Sequence, residues 1–351
     1  MNVTSTTVNL NMTSRARKIF SFVVALGIFG GTVPIMAQRP RPTAVTLAAG
    51  VPANSTIIFH TNQMIYTMDS AGGNITQISF QQGRAWDHVS LSRDGLRVVA
   101  NYWEDGHSKL MLFDLAAGTE VALVPHFYDA GLGGVDWDLS GNVYFAGIED
   151  LPYPENTVVF EERIANAAAN DVYRVRYDGT DIRRLTRTPD RGEADVSVAA
   201  DGNRIAYRTT FINPSVHDYS EIWVDSPDGD SPWMVYQSTD VLRTVHDPEL
   251  SPDGTEVVFS IANPDHHNFP EMVNTAHDLW RLRLDGTPPT RITAPGPISI
   301  IPDWVGTKIV YLLLEDNPEG TPDFFGAVVM NADGSNPVRI SGDSNIPKFI
   351  R

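Results

Sequence analysis

The chain has 351 residues, 42% of them apolar, a formal charge of −17 and no cysteine. That length and apolar content allow a large buried core. The negative charge disfavours nucleic acid and anionic membrane surfaces as partners, and the lack of cysteine removes thiol nucleophiles, thiolate metal sites and disulfides.

Residues 1–18 hold no acid and end in Arg15, Arg17 and Lys18, and an apolar run follows from Ile19 to Ala37. Basic, apolar and small-residue regions in that order define a secretory signal peptide, cleaved after Ala37. A retained membrane anchor is the alternative, and Gly27, Gly30, Gly31 and Pro34 weaken it as a permanent helix. Cleavage leaves 26 − 3 = 23 basic and 43 acidic residues, a mature charge of −20. The mature chain is then expected to be periplasmic or secreted, monomeric and free of the membrane. Residues 38–50, rich in Pro and Ala, read as a linker.

From residue 51 onward short β-branched and aromatic runs alternate with turns. One turn class contains Gly95, Gly141, Gly202, Gly254 and Gly306; a second contains Gly73, Gly118, Gly179, Gly229, Gly286 and Gly334. The classes alternate at spacings of 45 to 61 residues. Between them lie "RVVANY", "LMLFDL", "DVYRVRY", "RIAYRT", "EIWVDS", "EVVFSI", "DLWRLRL", "KIVYLLL" and "GAVVMNA", which read as strands. The segment 159–170 is the one modest helical pattern. A hairpin pair per repeat makes a four-stranded unit, here with strands A to D in chain order. Such a sheet cannot bury its own faces, so several must pack around an axis as a β-propeller. Units two to six each contain strands A to D. The first unit lacks strand A, and "SNIPKFIR" at the end of the chain resembles one. The expectation is an all-β, six-bladed propeller over 51–351, its ring closed by the C-terminal strand pairing into blade one.

"DPELSPDGTEVVFS" followed by "DLWRLRLDGTPPTRIT", echoed in "RYDGTDIRRLT" and "NADGSNPVRIS", resembles the repeat of TolB-type propellers, also called WD40-like or PD40 repeats. The resemblance implies this fold and a secreted binding role. It leaves no room for the α/β domain that precedes the TolB propeller. Peptidases with such propellers carry an α/β-hydrolase domain, and no Gly-x-Ser-x-Gly elbow occurs in this sequence.

The A–B and C–D turns are short, whereas the B–C connections are long in units three to six. Binding is therefore expected on the face built by the B–C and D–A loops. That face offers aromatic residues for sugar stacking or peptide anchoring: Trp103, Tyr153, Phe160, Tyr219, Phe269, Phe324 and Phe325. Aligned on the first turn glycine, Ser90, Asp136, Ser197, Glu249, Asp303 and Lys348 share one strand A position, facing the channel or its mouth. Asp136, Glu249 and Asp303 could hold Ca²⁺ in that ring, or simply line a water-filled polar channel, which is the preferred reading. His217, His246, His266, His267 and His277 fall on the same side, with His266, His267 and His277 as weak candidates for a transition metal. Trp137 and Trp304 are expected to pack between blades. No cofactor is required by this reading. The leading function is a binding or scaffold propeller for a protein, peptide or glycan, without a catalytic residue. The alternative is a metal-assisted polysaccharide lyase or hydrolase.

Overall fold

The computed structural model describes residues 56–60, 64–69, 74–79, 85–104, 107–149, 170–188, 191–211, 220–238, 244–262, 277–294, 298–316, 322–339 and 349–350. The proposed signal peptide, the linker and the helical pattern at 159–169 lie outside them. Among the described residues no helix is long and apolar enough to cross a membrane.

The first unit supplies β1 (Thr56–His60), β2 (Ile65–Asp69) and β3 (Thr76–Gln77). Unit two supplies β4 (Ala85–Leu91), β5 (Arg97–Glu104), β6 (His107–Asp114) and β7 (Thr119–Ala122). Unit three supplies β8 (Phe127–Trp137), β9 (Asn142–Glu149), β10 (Asp171–Arg176) and β11 (Arg183–Arg184). Unit four supplies β12 (Arg191–Val198), β13 (Ile205–Phe211), β14 (Ser220–Asp225) and β15 (Trp233–Gln237). Unit five supplies β16 (Val245–Leu250), β17 (Glu256–Ala262), β18 (His277–Arg283) and β19 (Thr290–Arg291). Unit six supplies β20 (Ile298–Val305), β21 (Lys308–Asp316), β22 (Pro322–Asn331) and β23 (Val338–Arg339), and β24 (Phe349–Ile350) ends the described chain. Units two to six each form a four-stranded antiparallel blade with its strands in chain order. The first unit joins a sheet of order β24-β1-β2-β3, with Ile57 opposite Ile350 and Ile58 opposite Phe349.

The core lies between blades. Val99, Leu110 and Leu112 of unit two pack with Trp137, Phe145 and Tyr173 of unit three. Ile222 and Val224 of unit four pack with Val257, Phe259 and Leu282 of unit five, and Val258 and Leu279 with Ile309, Tyr311 and Val328 of unit six. A middle strand therefore buries both faces, so β5 and β17 read as apolar runs rather than alternations. Trp137 packs between units two and three as expected and donates its indole N–H to Ser90 O (3.2 Å). Trp304 packs against the cluster shared by units five and six.

The repeated motifs have identifiable work. In the first turn class Ser251 and Asp253 bond through their side chains (2.7 Å), and Asp253 Oδ1 accepts from Thr255 N (3.1 Å). Gly254 follows at φ 65°, a conformation that costs an L side chain. The unit ends matter as well. Ser79, Thr186 and Thr293, from "TQIS", "RRLT" and "RIT", accept the backbone N–H of Ile65, Val172 and Leu279 at 2.8, 2.8 and 2.9 Å. Arg184 and Arg291 pair with Asp171 and Asp278 at the start of strand C. The motif thus ties strand D to strand C and satisfies a buried donor.

Candidate functional site

The inner strands of units two to six are all interrupted. Their register slips between Trp86 and Val89, Ala130 and Val135, Ala194 and Ser197, His246 and Glu249, and Ile300 and Asp303. A bulge inserts unpaired residues and re-aims side chains. Asp195, Asp247 and Ile301 consequently sit at φ 55°, 53° and 51°, a region Asp tolerates and a β-branched residue does not favour. Unit three meets the same demand with glycine. A Cβ on Gly133 would lie 1.8 Å from Asp195 Oδ1, so its absence lets that carboxylate sit against the neighbouring strand.

These interruptions bring His88, Gly134, Asp195, Asp247 and Ile301 together around a channel cavity of about 50 Å³. The volume suits a few waters and excludes a sugar ring. Arg208 Nε donates to Asp195 Oδ2 (2.6 Å), which also accepts from Asp247 N (3.3 Å). Asp247 Oδ2 accepts from Ser260 Oγ (3.2 Å) and from Ile301 N (3.2 Å) of the next unit. Burial, followed by the neighbouring Asp195 charge, pushes Asp247 up to about 6. Ser260 Oγ stands 3.1 Å from His277 Nδ1, and the His277 ring centroid is 5.0 Å from that of His246. Burial, then Arg208 and His277, holds His246 well below the ordinary histidine value, so its imidazole is neutral at pH 7.

The expected carboxylate ring is divided by the structure. Ser90, Glu249 and Asp303 line the cavity. Asp136 is buried and serves instead as a clamp between blades. Its Oδ2 accepts from Val198 N (2.8 Å) and lies 3.6 Å from Arg93 Nη2, and its Oδ1 accepts from Trp137 N (2.6 Å) and Ser90 Oγ (3.5 Å). Ser197 turns to Leu250 N (3.2 Å) in the same manner. Among the described residues no group of three or more His, Asp or Glu side chains is placed to hold a metal ion. Of the five grouped histidines, His246 and His277 are brought together, while His217, His266 and His267 lie outside the described residues. Tyr153, Phe160, Tyr219, Phe269 and Lys348 lie outside them too. Phe324 and Phe325 fall in β22 and Trp103 in β5.

The row His88, Asp195 and Asp247 lies two residues before Ser90, Ser197 and Glu249, the strand A position that the turn glycines align. The signal was present: the residues two positions before Ser90, Asp136, Ser197, Glu249 and Asp303 are the channel row. Arg208 and Ser260, on the second strands, carried no signal of their own.

Four-stranded antiparallel blades whose inner strands bulge beside a narrow polar cavity define a β-propeller. The chain is similar in structure to TolB from Acinetobacter baumannii, at 12% identity over 86% of this chain and 67% of that one, with a TM-score of 0.56. It is also similar to a protein assigned as TolB from Agrobacterium tumefaciens (15% identity, 86% and 98% coverage, TM-score 0.53). An oligogalacturonate lyase in complex with manganese gives 12% identity, 82% and 74% coverage and a TM-score of 0.50. No protein-family model matches the chain, and no curated protein sequence is similar to it. At these identities the likeness establishes the fold: the chain is a TolB-like β-propeller in architecture.

Proposed function

We propose that the protein is an extracytoplasmic binding propeller that holds a protein, peptide or glycan on the face of its B–C and D–A loops. In this reading residues 1–37 are removed as a signal peptide, 38–50 form a linker, and 51–351 form six blades. Pairing of β24 with β1 supports closure of that ring by the C-terminal strand. The observation that carries the functional reading is the size and use of the channel. Asp136, Asp195, Ser197 and Asp247 join neighbouring blades, and the cavity they leave is about 50 Å³. A ligand of the proposed size must therefore bind outside the channel, and long loops on a rigid scaffold are the usual place. TolB-like neighbours are compatible with a binding role.

A second reading, a metal-assisted lyase acting on a polysaccharide, is favoured by one observation. His246, which is neutral, stands with His277 beside Asp247, and one structural neighbour is an oligogalacturonate lyase in complex with manganese. One experiment separates the two. Replacing residues 263–275 by a short Gly-rich turn should leave thermal stability near wild type, because the unit-five core comes from Leu250, Val257, Phe259 and Leu282. Binding to a glycan array or to captured extracellular proteins should be lost. Manganese at one equivalent in the purified protein, with unsaturated-uronate formation from oligouronides, would replace the binding reading by the lyase.

A further inference from the structure

At the loop-face end of the seam between units three and four, a carboxyl group is buried without the partners an ion needs. Glu193, in β12, is fully buried, and its backbone N–H reaches across the seam to Asn170 O (2.7 Å), the residue before β10. Thr188, on the connection between the two units, donates its hydroxyl to Glu193 Oε1. Glu193 Oε2 is buried and among the described residues has no hydrogen-bond partner, and the same holds for Asn170 Oδ1. The other end of this seam, on the turn face, is fastened separately by the bond from Val198 N to Asp136 Oδ2 (2.8 Å).

The charged groups around Glu193 do not neutralise it. Arg191 of the same strand is turned to Glu221 Oε2 (3.4 Å) and to the Trp223 ring (5.3 Å). Arg184 of β11 is paired with Asp171, which also accepts from Thr186 Oγ1 (3.1 Å) and Thr188 N (3.4 Å). Arg187 on the connection is exposed, and Arg208 of β13 is paired with Asp195. Thr209, opposite Glu193 in register, and Tyr207 bring no cation from β13. Burial, then Asp171, outweigh the Thr188 hydroxyl and Arg191 and push Glu193 up from 4.5 to about 8. The neutral acid leaves one hydroxyl short of an acceptor, whereas the carboxylate would leave a buried charge half solvated.

We propose that Glu193 is a proton-operated latch on this seam, closed while its carboxyl group carries a proton and released at the loop-face end when the group ionises, with the Asp136 clamp as the hinge. Opening hydrates Glu193 and returns it to the ordinary glutamate range. Between 4.5 and about 8 the closed seam therefore holds a proton that the open seam has lost. Opening becomes about ten-fold more frequent with each pH unit in that window and levels off above it. A ligand held across units three and four would be gripped in acid and released toward alkaline pH. That consequence rests on binding at the loop face, whereas the latch itself does not.

The test is amide hydrogen exchange of the full mature chain from roughly pH 5 to 9, corrected for the intrinsic exchange rate. The Glu193 amide should be at least about ten-fold less protected than the Val198 amide, and its protection should fall about ten-fold per pH unit up to about 8. Glu193→Gln, neutral throughout, should remove that slope. Carboxyl-carbon NMR of the wild type, which needs no variant, should give Glu193 a midpoint near 8. A midpoint near 4.5, protection that does not change with pH, or a slope that survives in the Gln variant overturns the proposal. Equal protection of the two amides at every pH overturns it as well, because the seam would then open only when the whole chain unfolds.

Discussion

The turns and the blade interior use the same side chain, a carboxylate, to opposite electrostatic effect. At the rim Asp253, Asp285 and Asp333 lie at the surface. Each is held below its ordinary value, first by a neighbouring Ser or Thr hydroxyl and then by a backbone N–H. In the interior burial dominates: Asp247 is pushed up to about 6 and Glu193 to about 8. A rim acid donates nothing and accepts everything its turn offers, so ionisation helps it. An interior acid has lost water before it gains partners, so ionisation costs it. The rim acids stamp the repeat, and the interior acids bear the cost of joining blades around a channel.

Three substitutions sharpen that contrast, in order of expected effect. Asp136→Ala should cost about 3–5 kcal/mol, read by urea unfolding. It strands Val198 N and removes the carboxylate beside Arg93, which keeps its bonds to Trp137 O and Val198 O. A loss near 1 kcal/mol would mean that the blades are held by apolar packing alone.

Glu193→Gln tests the sign of the interior effect. Glu193 is fully buried in β12, Thr188 Oγ1 donates to its Oε1, and burial followed by Asp171 raises it from 4.5 to about 8. Between those values the folded protein binds a proton that the unfolded chain does not. Wild-type stability should therefore fall as pH rises from 4.5 to 8, by on the order of a few kcal/mol. The Gln variant, neutral throughout, should flatten that slope in thermal melts across the window. A wild-type profile that rises over the same range would contradict it.

Asp253→Asn should be the smallest change, below about 1 kcal/mol at neutral pH, because an exposed carboxylate is screened by solvent and Asn still accepts from Thr255 N. Its sign runs the other way. The folded value of Asp253 is depressed, so its contribution is present above 3.8 and is lost as pH falls through the lower folded value. The variant should therefore lose less stability than wild type on acidification below pH 4. A steeper acid loss in the variant would place the stabilisation elsewhere.

The repeat and the blade were legible in the order of the residues. Asp-Gly turns, β-branched runs and the Arg-Ile-Thr ends are local devices, closed by contacts within one unit, so their spacing alone set the strands and the all-β architecture. The inter-blade role of Trp137 was legible for a related reason: a large apolar side chain at a strand A position has only the neighbouring blade to pack against. The channel was not legible to the same degree. Whether Asp136 faces the channel or the neighbouring blade depends on the slip between Ala130 and Val135, and a slip by an odd number of residues reverses which side a strand residue faces. The bulges at Asp195, Asp247 and Ile301 exist because neighbouring inner strands supply hydrogen bonds across more than fifty residues of sequence, as from Ile301 N to Asp247 Oδ2. Likewise "WMVYQ" reads as an ordinary strand until the sheet order leaves it outermost, beside an arginine from β13's edge whose neighbour Gly254 belongs to the next blade. Contacts within a unit are written in the order of its residues; contacts between units are decided only when the blades are packed side by side.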